Sequence, residues 1–403
     1  MDIINLYENY NSYFKADLKA IFERCSKIAS KNKVKIYLIG GLVRDLMLGR
    51  ENYDIDITVE GDAIKFAKIL EKEIGAKILS LHKPFGTAKV EINGIKVDFA
   101  STRSELYPKK GHLPKVNEIG CSLEKDVLRR DFTVNSLALS LNQQNFAQGL
   151  DYVGGFKDLK NKKIRILHDK SFIDDPTRII RALKYAQRLS FELDKKTFEL
   201  QKEYLKKINY DMCYKRVKNE LKLTFNSKSQ NAFETFIEQG IYKLITKKGI
   251  ELPKINIEKL IAKYRIKQPW IVYVGLIGVF EEDSFSDKLE LTKKEKETIS
   301  ASKKLLKLKI KKDDFGIYKA FEGKCIESLI IYYLISCDEK VLRYLDVLRG
   351  IKINIKGQDL IAIGLKPSKE FSQIFDYVLR EKLKNSKINK AKEIELVRGF
   401  CNY

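Results

Sequence analysis

The run Val34-Lys35-Ile36-Tyr37-Leu38-Ile39 followed by Gly40-Gly41 constrains this chain more than any other feature. A β-rich run stopped by two glycines, then helical spacing from Leu42 to Leu48, predicts a strand, a tight turn and a helix. Glycines let backbone approach a phosphate closely, and the first amides of a helix point at it. Arg44, about one helical turn further on, is placed to reach the same phosphates. The turn is not a Walker loop, because no Gly-Lys-Ser/Thr follows. Taken alone it reads more readily as an ordinary turn.

Asp54 and Asp56 add chemistry to that unit. Asp54 to Val59 alternates like a strand, so the two carboxylates share a face while Ile55 and Ile57 take the other. Adjacent like charges are costly unless a cation neutralises them. Carboxylates, water and phosphate oxygens complete a magnesium site, which makes Asp54 and Asp56 the candidate metal ligands. Asp98, in Val97-Asp98-Phe99-Ala100, is a third acid on a later strand. Three carboxylates from two strands suit two metals and an in-line phosphoryl displacement.

The pattern around this unit is mixed. Residues 12–31 and Ala63 to Ile74 read as amphipathic helices, and Lys77–Leu81, Thr87–Ile92 and Lys96–Ser101 as short strands. Ser104 to Lys125 is polar, holds Pro108, Gly111 and Pro114, and reads as a loop. Past Asp175 the chain is helical almost throughout. The expected fold class is α+β, a small mixed-sheet head followed by a long helical region.

Composition narrows the chemistry. At 403 residues with 44% hydrophobic content the chain buries more than one core. No apolar run reaches the ~18 residues of a membrane span, and the first residues do not read as a secretory signal. Six scattered cysteines and three unpaired histidines argue against a disulfide framework or zinc site and fit a reducing cytoplasm. Catalysis must then rest on carboxylates and cations. A net charge of +23 points to a polyanionic partner, although lysine on solvated helix faces accounts for much of it. The run Lys303 to Lys312 alternates cation and aliphatic residue, and suits either a helix with one buried stripe or contact with RNA. Asp175, Arg178 and Arg181 fall three apart on an expected helix, with Pro176 in its first turn.

Several ordered motifs together carry a resemblance. Ile39-Gly40-Gly41-Leu42-Val43-Arg44-Asp45, Gly49, Asp54-Ile55-Asp56-Ile57 and Gly61 resemble the first motif of the class II tRNA nucleotidyltransferase and bacterial poly(A) polymerase family, in the DNA polymerase β superfamily. The likeness continues through Val97 to Glu105, Asp126 to Ala138 and Asp174 to Ala182. It is looser in Tyr214 to Leu221 and in the Gly357 and Gly364 segments, and its strong part covers roughly 34–226.

That resemblance implies roles. Asp54, Asp56 and Asp98 become catalytic carboxylates using Mg2+. Gly40, Gly41 and Arg44, with Arg130, Asp131 and Asn135, would serve the nucleotide's triphosphate and sugar. Asp175, Arg178 and Arg181 would act as an amino-acid template for the base. A carboxylate accepts from the exocyclic amine of cytosine or adenine, and an arginine donates to the neighbouring ring acceptor. Two positions depart from the family: Asp174 stands where glutamate is usual, and Lys184 where arginine is usual, so Lys184 lacks the bidentate fork.

The resemblance further implies a head over 1–150, a base-recognising neck over 151–226, and a body (227–345) and tail (346–403) that hold tRNA. The expected activity is CMP and AMP transfer from CTP and ATP to the tRNA 3′ end, completing CCA. An A-adding specialist, a poly(A) polymerase, a catalytically inactive RNA-binding protein and transfer to a small molecule are the alternatives. No membrane or protein partner is implied.

Overall fold

A computed structural model describes residues 1–227 and 230–401. The chain divides into two compact units. One holds Met1–Glu220 with Glu238–Leu244, and the other Leu221–Ile237 with Ile245 onward.

The first unit holds twelve strands: β1 (Asp2–Asn5), β2 (Lys35–Ile39), β3 (Asp56–Glu60), β4 (Lys77–His82), β5 (Thr87–Ile92), β6 (Ile95–Ser101), β7 (Arg103–Leu106), β8 (Lys115–Ile119), β9 (Ala138–Ser140), β10 (Gln148–Asp151), and a two-residue pair, β11 (Lys163–Ile164) and β12 (Glu192–Leu193). Among the described residues eight of them form one sheet, ordered β1-β10-β9-β2-β3-β6-β5-β4. Only β3 and β6 run parallel in it, so the sheet is mixed as expected. It is wider than the local pattern suggested. Strands β1, β9 and β10 are three or four residues long, and so short a run carries too few alternations to be read.

Ten helices follow the chain through this unit: α1 (Tyr7–Tyr13), α2 (Ala16–Lys31), α3 (Gly41–Met47), α4 (Ala63–Ile74), α5 (Leu123–Leu128), α6 (Gly155–Lys160), α7 (Ser171–Asp174), α8 (Thr177–Leu189), α9 (Lys195–Lys206) and the start of α10 (Tyr214–Phe225). Helix α4 shows why the sequence folds so. Asp62 caps it by accepting from the amides of Ile64 (2.9 Å) and Lys65 (3.0 Å), and Gly75 ends it in the left-handed conformation. Its buried residues Ala63, Phe66, Ala67 and Leu70 form one stripe, and Phe66 packs on Phe99 of β6 with ring centroids 5.8 Å apart.

Residues 12–31 are not one helix. Phe14 turns extended between α1 and α2, buried against Tyr10 and Phe22. The stretch after Ser104 is not simply a loop either: β7 and β8 pair antiparallel as a hairpin, leaving 107–114 as its connection.

The second unit is helical. An aromatic core of Phe225, Phe233, Phe236, Trp270 and Tyr273 lies near its start. A separate core of Ile355, Leu360, Ile374, Val378 and Val397 lies near its end. The Lys303 to Lys312 run does not make one helix: helix Lys293–Leu306 stops inside it, and Leu308 is exposed. No helix among the described residues is long and apolar enough to cross a membrane.

Candidate active site

Strand β2 ends at the glycine turn. Gly40 has φ +78°, which a side chain rarely adopts, and a Cβ there would lie 3.2 Å from Arg130 Nη1 and 3.3 Å from the Asn135 carbonyl oxygen. Gly41 opens α3. Arg44 sits behind this turn and not in the open space before it. It is buried, donating from Nε (2.8 Å) and Nη2 (2.9 Å) to the Asp45 carboxylate and from Nη1 to Asn135 Oδ1. In this arrangement its donors brace the turn, and a direct contact with phosphate would exchange one of these bonds.

The two aspartates do not share a strand. Asp54 precedes β3, its amide donating to Asn52 Oδ1 at 3.0 Å, and only Asp56 belongs to the strand. The third acid falls into place through the parallel pairing, which sets Asp56 directly opposite Asp98 of β6. Partial burial, then repulsion from Asp98, pushes the Asp56 carboxyl above the usual carboxylate range. Asp54 adds to the repulsion, while Arg130 and Lys89 oppose it. Lys89 Nζ lies 3.2 Å from the Asp98 carboxylate. Among the described residues no group of three or more His, Cys, Asp or Glu side chains is gathered closely enough to cage a metal. An ion here would need oxygens from elsewhere, and triphosphate is the customary source for magnesium.

A wall of guanidinium groups faces these acids. Buried Asp126 anchors it: Arg129 donates to Oδ1 at 2.7 Å and Arg130 to Oδ2 at 2.9 Å. Burial works against the Asp126 charge, but Arg130 and Arg129 outweigh it and hold the carboxyl below its usual range. Asp131 behaves alike. Burial opposes its charge, and Arg181, donating at 2.8 and 2.5 Å, holds it low. Arg181 also donates to Glu220 at 3.0 Å, and Lys184 meets the same glutamate at 2.7 Å. Tyr185 lies under this cluster, with Arg44 5.3 Å and Arg181 5.5 Å from its ring centre.

Asp175 is not on a helix face. It lies in extended backbone between α7 and α8, and Pro176 caps the second helix. Its Oδ1 accepts from the Thr177 hydroxyl and amide (3.1 Å), and its Oδ2 from Arg216. Arg178 is buried and donates to Ser171 Oγ (3.0 Å), the Arg129 carbonyl (3.1 Å) and the Tyr107 hydroxyl (3.3 Å). The expected row of three thus separates: Asp175 and Arg178 face different partners, and Arg181 turns to Asp131.

One cavity of roughly 310 Å³ gathers Gly40, Gly41, Asp56, Arg130, Asp131, Asn135 and Arg181. Asp54, Asp98, Arg44, Asp175 and Arg178 do not line it. Local sequence reading missed Tyr185 and Arg103 in its wall, and Asp126, Arg216 and Glu220 as partners of the arginines and of Asp175. The Asp126 to Ala138 and Tyr214 to Leu221 segments contained the last three, but nothing local says which charge each one meets.

Known proteins match both the sequence and the fold. The poly A polymerase head domain family matches residues 36–165. A CCA-adding enzyme of Staphylococcus epidermidis is 30% identical over 286 residues, 69% of this chain and 68% of that protein. The chain belongs to the class II tRNA nucleotidyltransferase family. An A-adding tRNA nucleotidyltransferase of Geobacter sulfurreducens is 31% identical across 94% of this chain, and the chain spans about half of that protein, 46%. A solved CCA-adding enzyme in an apo form superposes with a TM-score of 0.86 at 25% identity, covering 99% of this chain and 100% of that one. The mixed-sheet head and helical remainder are thus those of this family's known structures.

Proposed function

We propose that this chain transfers nucleotide monophosphates from CTP and ATP to the 3′ end of tRNA, building or repairing CCA. The observation that carries the reading is the shared cavity. It holds Asp56 on one strand and Arg130 from the opposing wall at a glycine turn where backbone can approach a phosphate. Family membership supports it.

The chain's own groups divide the work. Gly40 and Gly41 keep the turn free of side chains. Arg130, anchored on Asp126, offers positive charge to the triphosphate. Asn135, held by Arg44 and Asp131, keeps a fixed orientation at the sugar. Asp175 and Arg178 read the base, and Arg181 is a positioning residue that fixes Asp131. Asp54 and Asp56, with Asp98 beside Asp56, would hold a divalent ion such as Mg2+, whose chemistry is to lower the pKa of the attacking 3′-hydroxyl and offset charge on the leaving pyrophosphate. The donor set fits, because it is all hard carboxylate oxygen and its crowded charge is left partly uncompensated. The division into head, neck, body and tail remains our reading, with body and tail binding tRNA.

A second reading has its own support. Two A-adding relatives are 31% and 32% identical over 94% and 86% of this chain, and a CCA-adding relative of similar breadth, 87% of this chain, is 27% identical. That margin of identity favours a specialist that finishes tRNA already ending in CC. The test supplies tRNAs lacking A, CA or CCA with CTP and ATP, singly and together. Extension of all three supports CCA addition. Extension of only the CC-ended substrate establishes A-addition, and extension of none overturns both.

A further inference from the structure

The proposed base-reading cluster contains a second arginine whose use the fold leaves incomplete. Arg216 lies in the first turn of α10 and donates from Nη2 to Asp175 Oδ2. Its other terminal nitrogen, Nη1, is buried and has no hydrogen-bond partner among the described residues. A buried donor left unmade is costly, and such groups in folded proteins call for a partner. The position is also not slack. The Gly111 amide donates to the Asp174 carbonyl, the Cys213 amide to the Gly111 carbonyl and the Arg216 amide to the Cys213 carbonyl, each at 3.0 Å. Three backbone bonds in series therefore tie the residue before Asp175, the tip of the 107–114 connection and Arg216 into one register. That is more constraint than a surface ion pair requires.

We propose that Arg216 is a further specificity-determining residue of the nucleotide site: it fixes the Asp175 carboxylate as an acceptor, and its free Nη1 donates to the incoming base. The inference rests on the nucleotidyltransferase reading above. Its chemistry is a count of donors and acceptors. Adenine and cytosine present an exocyclic amine beside a ring nitrogen that accepts, which matches one carboxylate and guanidinium donors. Uracil and guanine present a carbonyl beside a ring N–H, so they set acceptor against acceptor and donor against donor. Arg178, whose donors are already divided among Ser171, Tyr107 and the Arg129 carbonyl, is less free to enforce this alone.

The experiment uses the full chain, a tRNA ending in CC and each of the four nucleotides, with Arg216→Gln and Arg216→Lys. In Arg216→Gln the KM for ATP should rise about tenfold with a smaller change in kcat, and misincorporation of UMP or GMP relative to AMP should rise about tenfold. Inhibition by tripolyphosphate should stay as in the wild type, because the phosphate end is untouched. Arg216→Lys keeps the charge beside Asp175 but not the second planar donor, so it should recover part of the KM and little of the selectivity. Wild-type selectivity in either folded variant overturns the proposal. So does a parallel loss of ATP and tripolyphosphate binding with a fall in Tm, which marks a purely structural arginine. Should Arg216→Gln fail to fold, Arg216→Lys decides by the same selectivity ratio. A wild-type protein that extends no tRNA at all overturns the underlying function instead.

Discussion

The carboxylates on and beside β3 and β6 and the arginine clusters of the facing wall treat charge in opposite ways. Asp56 lies opposite Asp98, and burial together with that repulsion leaves it above its usual pKa range despite Arg130 and Lys89. Asp126 and Asp131 are more enclosed, yet arginines hold both below that range. Under the proposed function the first group awaits a cation that arrives with the substrate. The second is finished inside the protein and serves as a rigid frame. A site that must bring phosphate chemistry to a fixed place needs both, since preorganisation of one side lets the other stay unsatisfied until substrate binds.

The largest expected effect breaks this comparison at the open side. Asp56→Ala should reduce nucleotide transfer by about a thousandfold or more, measured with magnesium present, because charge at the reacting phosphate is lost. Its Tm should be unchanged or slightly higher, because a crowded charge has been removed. Activity within tenfold of wild type would return Asp56 to an ordinary strand-end acid.

Next comes the framed side, where stability should suffer first. Arg181→Met leaves enclosed Asp131 without its guanidinium partner, while Glu220 keeps Lys184, and should cost about 3 kcal/mol by denaturant titration. A loss under about 0.5 kcal/mol would mean that the cluster is no frame.

Gly40→Ala tests the turn between them. It places a Cβ at a positive φ and against Arg130 and Asn135, and should cost about 1–2 kcal/mol while raising the KM for nucleotide. Equal stability and KM would show that the backbone there relaxes freely.

The smallest effect is in pH dependence, and its sign differs between the two sides. Asp131 has a lowered folded pKa, so its stabilisation is fully present above the unfolded value of about 3.9 and is lost as pH falls through the folded one. Asp56 has a raised folded pKa, so it favours the folded state below the unfolded value and loses that contribution as pH rises through the folded one. Urea titrations across pH 2 to 7, roughly the window of these shifts, should show Asp131→Asn flattening the acid limb. Asp56→Asn should steepen the rise of stability with pH. The same slope change in both variants would contradict the opposed assignments.

Much of the frame was readable from residue order. Strands β2 and β5, the glycine turn and helix α4 are each set by neighbours within a few positions, through alternation, capping and the freedom of glycine. The helical remainder was legible for the same reason. Short strands β9 and β10 were not, because their pairing with β2 and β1, not their composition, makes them strands.

Residue order settles which chemical groups this protein has and on which local elements most of them ride: acids after a glycine turn, and arginines at helical spacing. Which groups meet is set by folding. Parallel pairing set Asp98 against Asp56, and folding carried Arg216 to Asp175 and Arg181 to Asp131. It also enclosed Arg44, which the spacing had offered to phosphate. The physical reason is range. Hydrogen bonds along a helix or within a turn link residues a few positions apart, but ion pairing and burial act between surfaces that the chain brings together from far along its length, and no local pattern records that encounter.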